Sequence, residues 1–288
     1  MIKRHRMILF FALAYLLSWY PWFIALARGT HTGPNPLGPL LAALIVTALT
    51  EGRSGIKTLL ARIIRVRAGI QWYAVVFLLP VAICVLAAGI AVLFGAPIPR
   101  ISQSSGISDI LDRFIFIFLF IGLGEEPGWR GFALEHLQET RSAIRSSLIL
   151  APLWAIWHLP LMGNEFPLHI LPAFLIAIFP GTILQTWIYN RTNGSVFLQM
   201  LFHTTVNTVG AGLIFPLFTG KNLTILWYVY SLIWIAVALT VVFRKGIEPI
   251  RPRDATLEQA ATSLTADRDT HVSLFAANPD RKRPPDVF

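Results

Sequence analysis

The sequence predicts an all-α, polytopic membrane protein, a bundle of about eight transmembrane helices. Three observations lead there. Hydrophobic residues fill 55% of the 288 positions and charged residues only 14%, outside the soluble globular range of roughly 45 to 50% apolar and about 25% charged. The mean hydropathy is +0.62. The apolar residues also gather into runs, several of them near or beyond the ~20 residues that cross a hydrocarbon core of ~30 Å.

Met7 to Ala27 is a charge-free run of 21 residues. The basic stretch before it and the closing Ala25-Leu26-Ala27 resemble a signal peptide, but the run exceeds the ~7 to 15 residues of a cleaved segment, so it reads as a first span. Pro34 to Thr50 is a shorter second, with prolines at its start, where a helix tolerates them. Glu51 to Arg67 carries Arg53, Lys57, Arg62, Arg65 and Arg67, with Ile56, Leu59, Leu60, Ile63 and Ile64 at helical spacing. It is predicted to be an amphipathic helix at the membrane surface. Ile70 to Pro99 is an uncharged third span with Pro80 as a kink site, and Arg100 to Asp109 is a polar loop.

Phe114 to Leu123 supplies only ten apolar residues before charge intervenes. Phe132, Ala133, Leu134 and Leu137 then resume a helical pattern, so the helix is expected to continue and carry the charges inward. Further spans are predicted at Ser146 to Met162, Pro167 to Tyr189 with a break at Pro180-Gly181, Ser195 to Thr219, and Asn222 to Phe243. Residues 1–246 form the transmembrane domain. The tail 247–288 mixes Pro, Asp, Arg, Thr and Ala without periodicity and is expected to be disordered.

The net charge of +9 does not point to nucleic acid, because the bases lie between apolar runs instead of forming one patch. They report topology. Lys3, Arg4, Arg6, the five bases of 51–67, Arg141, Arg145, Arg191, Arg244 and Lys245 fall on the side of the termini; Arg28, Arg100, Arg113 and Lys221 fall opposite. The excess places both termini in the cytoplasm of a multi-pass protein of the cytoplasmic membrane. Cys84, the only cysteine, excludes an intramolecular disulfide and a thiolate metal cluster.

The stretch Gly124-Glu125-Glu126-Pro127-Gly128-Trp129-Arg130-Gly131 places three ionisable groups where insertion costs ~2.5 to 3.5 kcal/mol per charge, so they are expected to face a functional cavity. Depth follows from the helical rise. Glu125 lies roughly 16 Å in from one face, and His158, His203 and Asn207 roughly 18, 12 and 18 Å in from the other. All four fall in one layer. Glu126 and Arg130 share a helix face and can pair, which leaves Glu125 to face another neighbour. A carboxylate and two imidazoles can activate water in two ways. Glu125, His158 and His203 could ligate a Zn²⁺. Alternatively Glu125 is a metal-free general base assisted by His158, with His203 and Asn207 donating to the oxyanion. The spacing leaves both open. The bland readings assign His169 to structure and Trp129, Trp154 and Trp157 to packing.

These residues form a pattern that resembles the CPBP family, the CAAX prenyl endopeptidase and bacteriocin-processing group of intramembrane proteases, also called Abi. Its first motif reads here Glu125-Glu126-Pro127-Gly128-Trp129-Arg130, followed by Gly131. Its second is an aromatic one turn before a histidine, Trp154 ahead of His158, where the family usually has Phe. Its third stands as His203 and Asn207. The resemblance covers 113–218. It implies an all-α bundle, peptide-bond hydrolysis within the membrane, and Glu125, Glu126, Arg130, His158, His203 and Asn207 as the essential residues. The reading is an intramembrane endopeptidase acting on a membrane-associated, prenylated or leader peptide that enters from the cytoplasmic side or through a lateral gap. Its partners are the lipid bilayer and a peptide substrate. The rival readings are a non-catalytic immunity or scaffold protein of the same fold, and a proton-coupled transporter.

Overall fold

The computed structural model describes residues 5–98 and 106–247; apart from Ile247, the tail expected at 247–288 lies outside the described residues. Among those described, the regular structure is helical throughout, with no named strand. Six helices are long and apolar enough to cross a membrane. Five of them lie in α1 (Arg6–Ala27), α4 (Ile70–Leu93), α8 (Ala143–Trp157, with its short 3-10 extension), α9 (Leu171–Arg191) and α11 (Gly220–Lys245). The sixth is α10 (Val196–Val209), extended by a π-helical turn, Gly210–Ile214, and a 3-10 turn, Phe215–Leu217. The two other predicted spans are of a different kind. One is α2 (Gly38–Thr50), 13 residues long. The other is an unbroken helical run over 107–138, too charged to score as an apolar span.

The run 107–138 continues through the glutamate pair as expected, but its winding changes repeatedly. α5 (Ile107–Phe116) leads into a π-helical segment, Ile117–Gly122; then come α6 (Leu123–Glu126), a second π segment, Pro127–Leu134, and α7 (Glu135–Gln138). The run begins seven residues before Phe114, because the Asp109 carboxylate accepts from the Gly106 amide at 3.0 Å and starts the helix there. Pro127 has no amide hydrogen and its ring crowds the carbonyl four residues back. Both effects are relieved by the wider π winding, a feature frequent at functional sites.

α2 fits against this run because the run is notched. A Cβ on Gly124 would lie 2.5 Å from the Pro36 carbonyl oxygen, and one on Gly128 would lie 2.5 Å from both Cβ and carbonyl oxygen of Pro39. Small residues at such contacts are the usual device of helix packing in lipid, where apolar burial gives little drive. α3 (Gly52–Ile63) is the predicted amphipathic helix. It docks by Leu59, whose Cδ1 would be 2.9 Å from a Cβ on Gly131, while Arg53 and Lys57 stay exposed.

The expected break at Pro180-Gly181 is absent: α9 runs through it. A proline removes one backbone bond, and neighbours compensate within a bundle. Here α9 packs between α8 and α11, and Thr182 and Thr186 donate to carbonyls one turn back, at 2.8 and 2.9 Å. Pro80 likewise lies within continuous α4.

Polar side chains gather at the end that holds the start of α1. Arg6 pairs with Glu139, Arg62 with Glu135, and His136 with Glu51. Tyr189 donates to Glu135 at 2.9 Å, and Arg65 donates to the Asn193 carbonyl. These segments are the ones that the charge pattern assigns to one side. Gly128→Ala is expected to cost about 1 to 3 kcal/mol by overpacking, read as a lower thermal midpoint in detergent. Gly89→Ala, where a Cβ meets nothing within 4 Å, should leave the midpoint unchanged or raised.

Candidate active site

Three helical elements bring the predicted residues together. Glu126 Oε1 accepts from Arg130 Nη1 at 3.0 Å and faces His203 Nδ1 at 2.7 Å, with the Glu126 and Arg130 side chains at 0% exposure. The pairing of Glu126 with Arg130 is the one expected from their spacing. Arg130 also lays its guanidinium over Trp154, Cζ 4.1 Å from the ring centroid. Such a cation–π contact compensates a desolvated cation.

Glu125 faces away from that pair, as the helical offset requires. Its Oε2 accepts from the indole nitrogens of Trp129 at 3.3 Å and Trp154 at 3.1 Å. Sequence reasoning placed both tryptophans in packing and missed this role. The signal for Trp129 was available: it stands one turn after Glu125 on the same run. Trp154 carried none, since its indole direction depends on how α8 meets the run. Trp129 is also enclosed by Phe10, Phe11 and Trp157.

His158 caps the C-terminus of α8, where Pro160 prevents the α-helix from continuing. Its Nδ1 lies 2.7 Å from the Trp154 carbonyl. A carbonyl only accepts, so the proton sits on Nδ1 and Nε2 carries the lone pair. The end of α8 is braced from α1: Tyr15 donates to the Leu153 carbonyl at 2.6 Å and Trp19 Nε1 to the Trp157 carbonyl at 3.0 Å. The carbonyls left over at a helix end thus have partners.

Glu125, His158, His203 and Asn207 line one cavity of about 530 Å³, whereas Glu126 and Arg130 stand behind its wall. The remaining lining is mostly apolar, with Phe174, Phe202, Phe215 and Trp227 prominent. From the site the cavity extends past Pro34, Arg113, Glu165 and Gly212, at the end of the bundle opposite Arg6, Glu51 and Arg62. Burial raises the Glu165 carboxyl above its ordinary range. Phe116 and Phe120 line the cavity and are also 56% and 49% exposed. His169, in a 3-10 turn between α8 and α9, does not line the cavity.

The proposed metal set was Glu125, His158 and His203. Both imidazoles commit Nδ1 to an oxygen, the orientation of a histidine ready to ligate through Nε2. Among the described residues, however, no three His, Cys, Asp or Glu side chains are placed to hold a metal ion. The residues as placed do not fit a Zn²⁺ centre.

These features define a class: a polytopic helical membrane protein with a buried carboxylate, imidazole and guanidinium cluster behind an apolar cavity. Residues 108–209 match the family model described as type II CAAX prenyl endopeptidase Rce1-like, an interval that contains all six predicted site residues. The resemblance read from the motifs is borne out: this segment is similar to the Rce1-like family. The chain is also similar to CAAX prenyl protease 2 of Methanococcus maripaludis, 26% identical over 221 residues that cover 69% of this chain and 82% of that relative.

The two glutamates separate by role. Glu126→Gln weakens the compensation of a buried arginine and of His203, and is expected to cost about 3 to 5 kcal/mol in detergent unfolding. Glu125→Gln still accepts from both indoles and should stay within about 1 kcal/mol of the native chain.

Proposed function

We propose that this protein is an intramembrane endopeptidase in which Glu125 activates water to cut a peptide borne in the membrane. The observation that carries the reading is the meeting of Glu125, His158, His203 and Asn207 on one cavity wall, with Glu126 and Arg130 fixing that wall from behind. With Oε2 held by two indoles, Oε1 is the oxygen that takes the water proton. His158 Nε2 accepts from the same water and orients it. The water oxygen bonds to the scissile carbonyl carbon, and the developing oxyanion takes hydrogen bonds from the Asn207 amide and His203 Nε2–H.

That last donation requires a charged imidazole. His203 gives Nδ1–H to Glu126 and can give Nε2–H only when both nitrogens are protonated. Collapse of the tetrahedral species breaks the C–N bond. Glu125 returns the proton to the leaving amine, so the products are a carboxylic acid and an amine.

The relatives support a substrate class for this proposal. The matched family and the Methanococcus maripaludis protein are both described as acting on CAAX prenyl substrates, and an apolar cavity suits a lipid-bearing peptide. Entry is sideways from the bilayer, past Phe116 and Phe120, which belong to the cavity and to the exposed surface. The sequence expectation offered a cytoplasmic route beside this lateral one. With the basic end in the cytoplasm, the cavity extends away from that side, which favours the lateral route.

Purified protein given a farnesylated peptide should release a C-terminal fragment detectable by mass spectrometry. Glu125→Gln and His158→Ala should each lower kcat by about 10² to 10⁴-fold, and phenanthroline should leave the native rate unchanged. Full activity in either variant would remove the assignment, and loss with phenanthroline would restore the metal. Reporter fusions to either terminus should respond as cytoplasmic; a periplasmic response at both would invert the topology and turn the cavity toward the cytoplasm.

A further inference from the structure

Only Glu51 separates α2 from α3, and the chain turns sharply there because Gly52 takes a φ of +66°. At its other end α3 leads through 64–69 into α4. That link is pinned: Tyr73 donates to the Val66 carbonyl at 2.5 Å, and Ser195 to the Arg65 carbonyl at 2.6 Å. α3 is thus tied at both ends to apolar helices, on the basic end of the bundle, which sets it at the boundary of the bilayer. Its inner face is occupied by Leu59, packed on Gly131, and by Arg62, whose Nη1 donates to the Gly131 carbonyl at 3.3 Å. Its outer face has no partner. Arg53, Lys57, Leu60 and the C-cap Ile64 follow at intervals of four, three and four residues, one line along a helix. Leu60 and Ile64 are 47% and 73% exposed, and Arg53 and Lys57 are exposed beside them. The acids of this end are engaged elsewhere, Glu51 with His136, Glu135 with Arg62 and Glu139 with Arg6. Neither Arg53 nor Lys57 forms an ion pair among the described residues.

We propose that this face of α3 binds the phosphate headgroups of anionic phospholipids, and that the bound lipid holds α3 against the run that carries the site. A helix at the interface binds by apolar area sunk into the acyl boundary together with attraction to anionic lipid. Leu60 and Ile64 supply the first, at the end of α3 that leads to α4. Arg53 and Lys57 supply the second. One turn apart, they can share a phosphodiester, the guanidinium through paired hydrogen bonds and the ammonium as a point charge. Lipid seated there presses Leu59 and Arg62 onto Gly131, the residue after Arg130. The grip on the Glu126 and Arg130 pair then depends on the headgroups outside. The binding stands on α3 alone; its effect on turnover rests on the endopeptidase reading.

The full chain is purified in mixed micelles of phosphatidylcholine and phosphatidylglycerol, and the lipid it retains is counted by native mass spectrometry. A cation near an anionic surface contributes about fivefold, so phosphatidylglycerol should be retained over phosphatidylcholine about ten- to thirtyfold. Arg53→Gln with Lys57→Gln should bring the ratio to near one. Arg141→Gln with Arg145→Gln removes the same charge from two other exposed arginines and should leave it high. Turnover of a farnesylated peptide without charged side chains, which an anionic surface does not concentrate, should rise about threefold when phosphatidylglycerol enters a phosphatidylcholine disc. That rise should vanish in the Arg53 and Lys57 variant. A lipid preference that survives in that variant, that falls equally in the Arg141 and Arg145 variant, or that inorganic phosphate abolishes by competition overturns the inference. A preference that depends on Arg53 and Lys57 without any change in turnover overturns the coupling to the site. The same preference with no cleavage in either lipid supports the binding and overturns the endopeptidase reading alone.

Discussion

A single carboxylate oxygen, Glu126 Oε1, joins two elements of the fold: it takes the Arg130 guanidinium from its own run and faces the His203 imidazole from α10. A buried anion of this kind is tolerable only when compensated, and the compensation propagates. Arg130 lies over Trp154. Trp154 in turn aims its indole hydrogen at Glu125 and gives its carbonyl to His158. The two residues assigned to the water are thereby oriented by one tryptophan, which a cation fixed by Glu126 holds in place.

The backbone makes this arrangement possible by giving up regular α winding. Pro127 directly follows the glutamates, and the π segment it opens carries Trp129, Arg130 and Gly131. Gly124 and Gly128 let α2 approach to backbone contact, so the charged face turns inward while the opposite face closes against a helix. Chemistry and packing divide the same eight residues between them. The glycines belong to the interface, and the ionisable groups belong to the site.

Much of this was legible in the sequence, and the part that was not has physical reasons. Counting the helical rise placed Glu125, His158, His203 and Asn207 in one layer, and they share a cavity wall. The four-residue spacing of Glu126 and Arg130 gave their ion pair. The indole donors to Glu125 were not legible, because a side-chain N–H direction is settled by rotamer and neighbour, not by spacing. The expected interruption at Pro180 failed for a similar reason: a local breaker lost to packing on both sides of α9. The second predicted span was overdrawn at its start: Pro34 and Pro36 precede α2, whose first turn takes in only Pro39.

The brace from α1 onto the end of α8 has a consequence for how this protein can be divided. Tyr15 and Trp19 hold the turn that carries His158, yet both lie about ninety residues before the matched interval begins. A segment cut to the motif-bearing region would keep every reacting group and lose the strut that aims one of them. The unit that chemistry recognises is therefore smaller than the unit that can be transplanted. A chimera that exchanges the first helix would have to carry its two polar aromatics along with it.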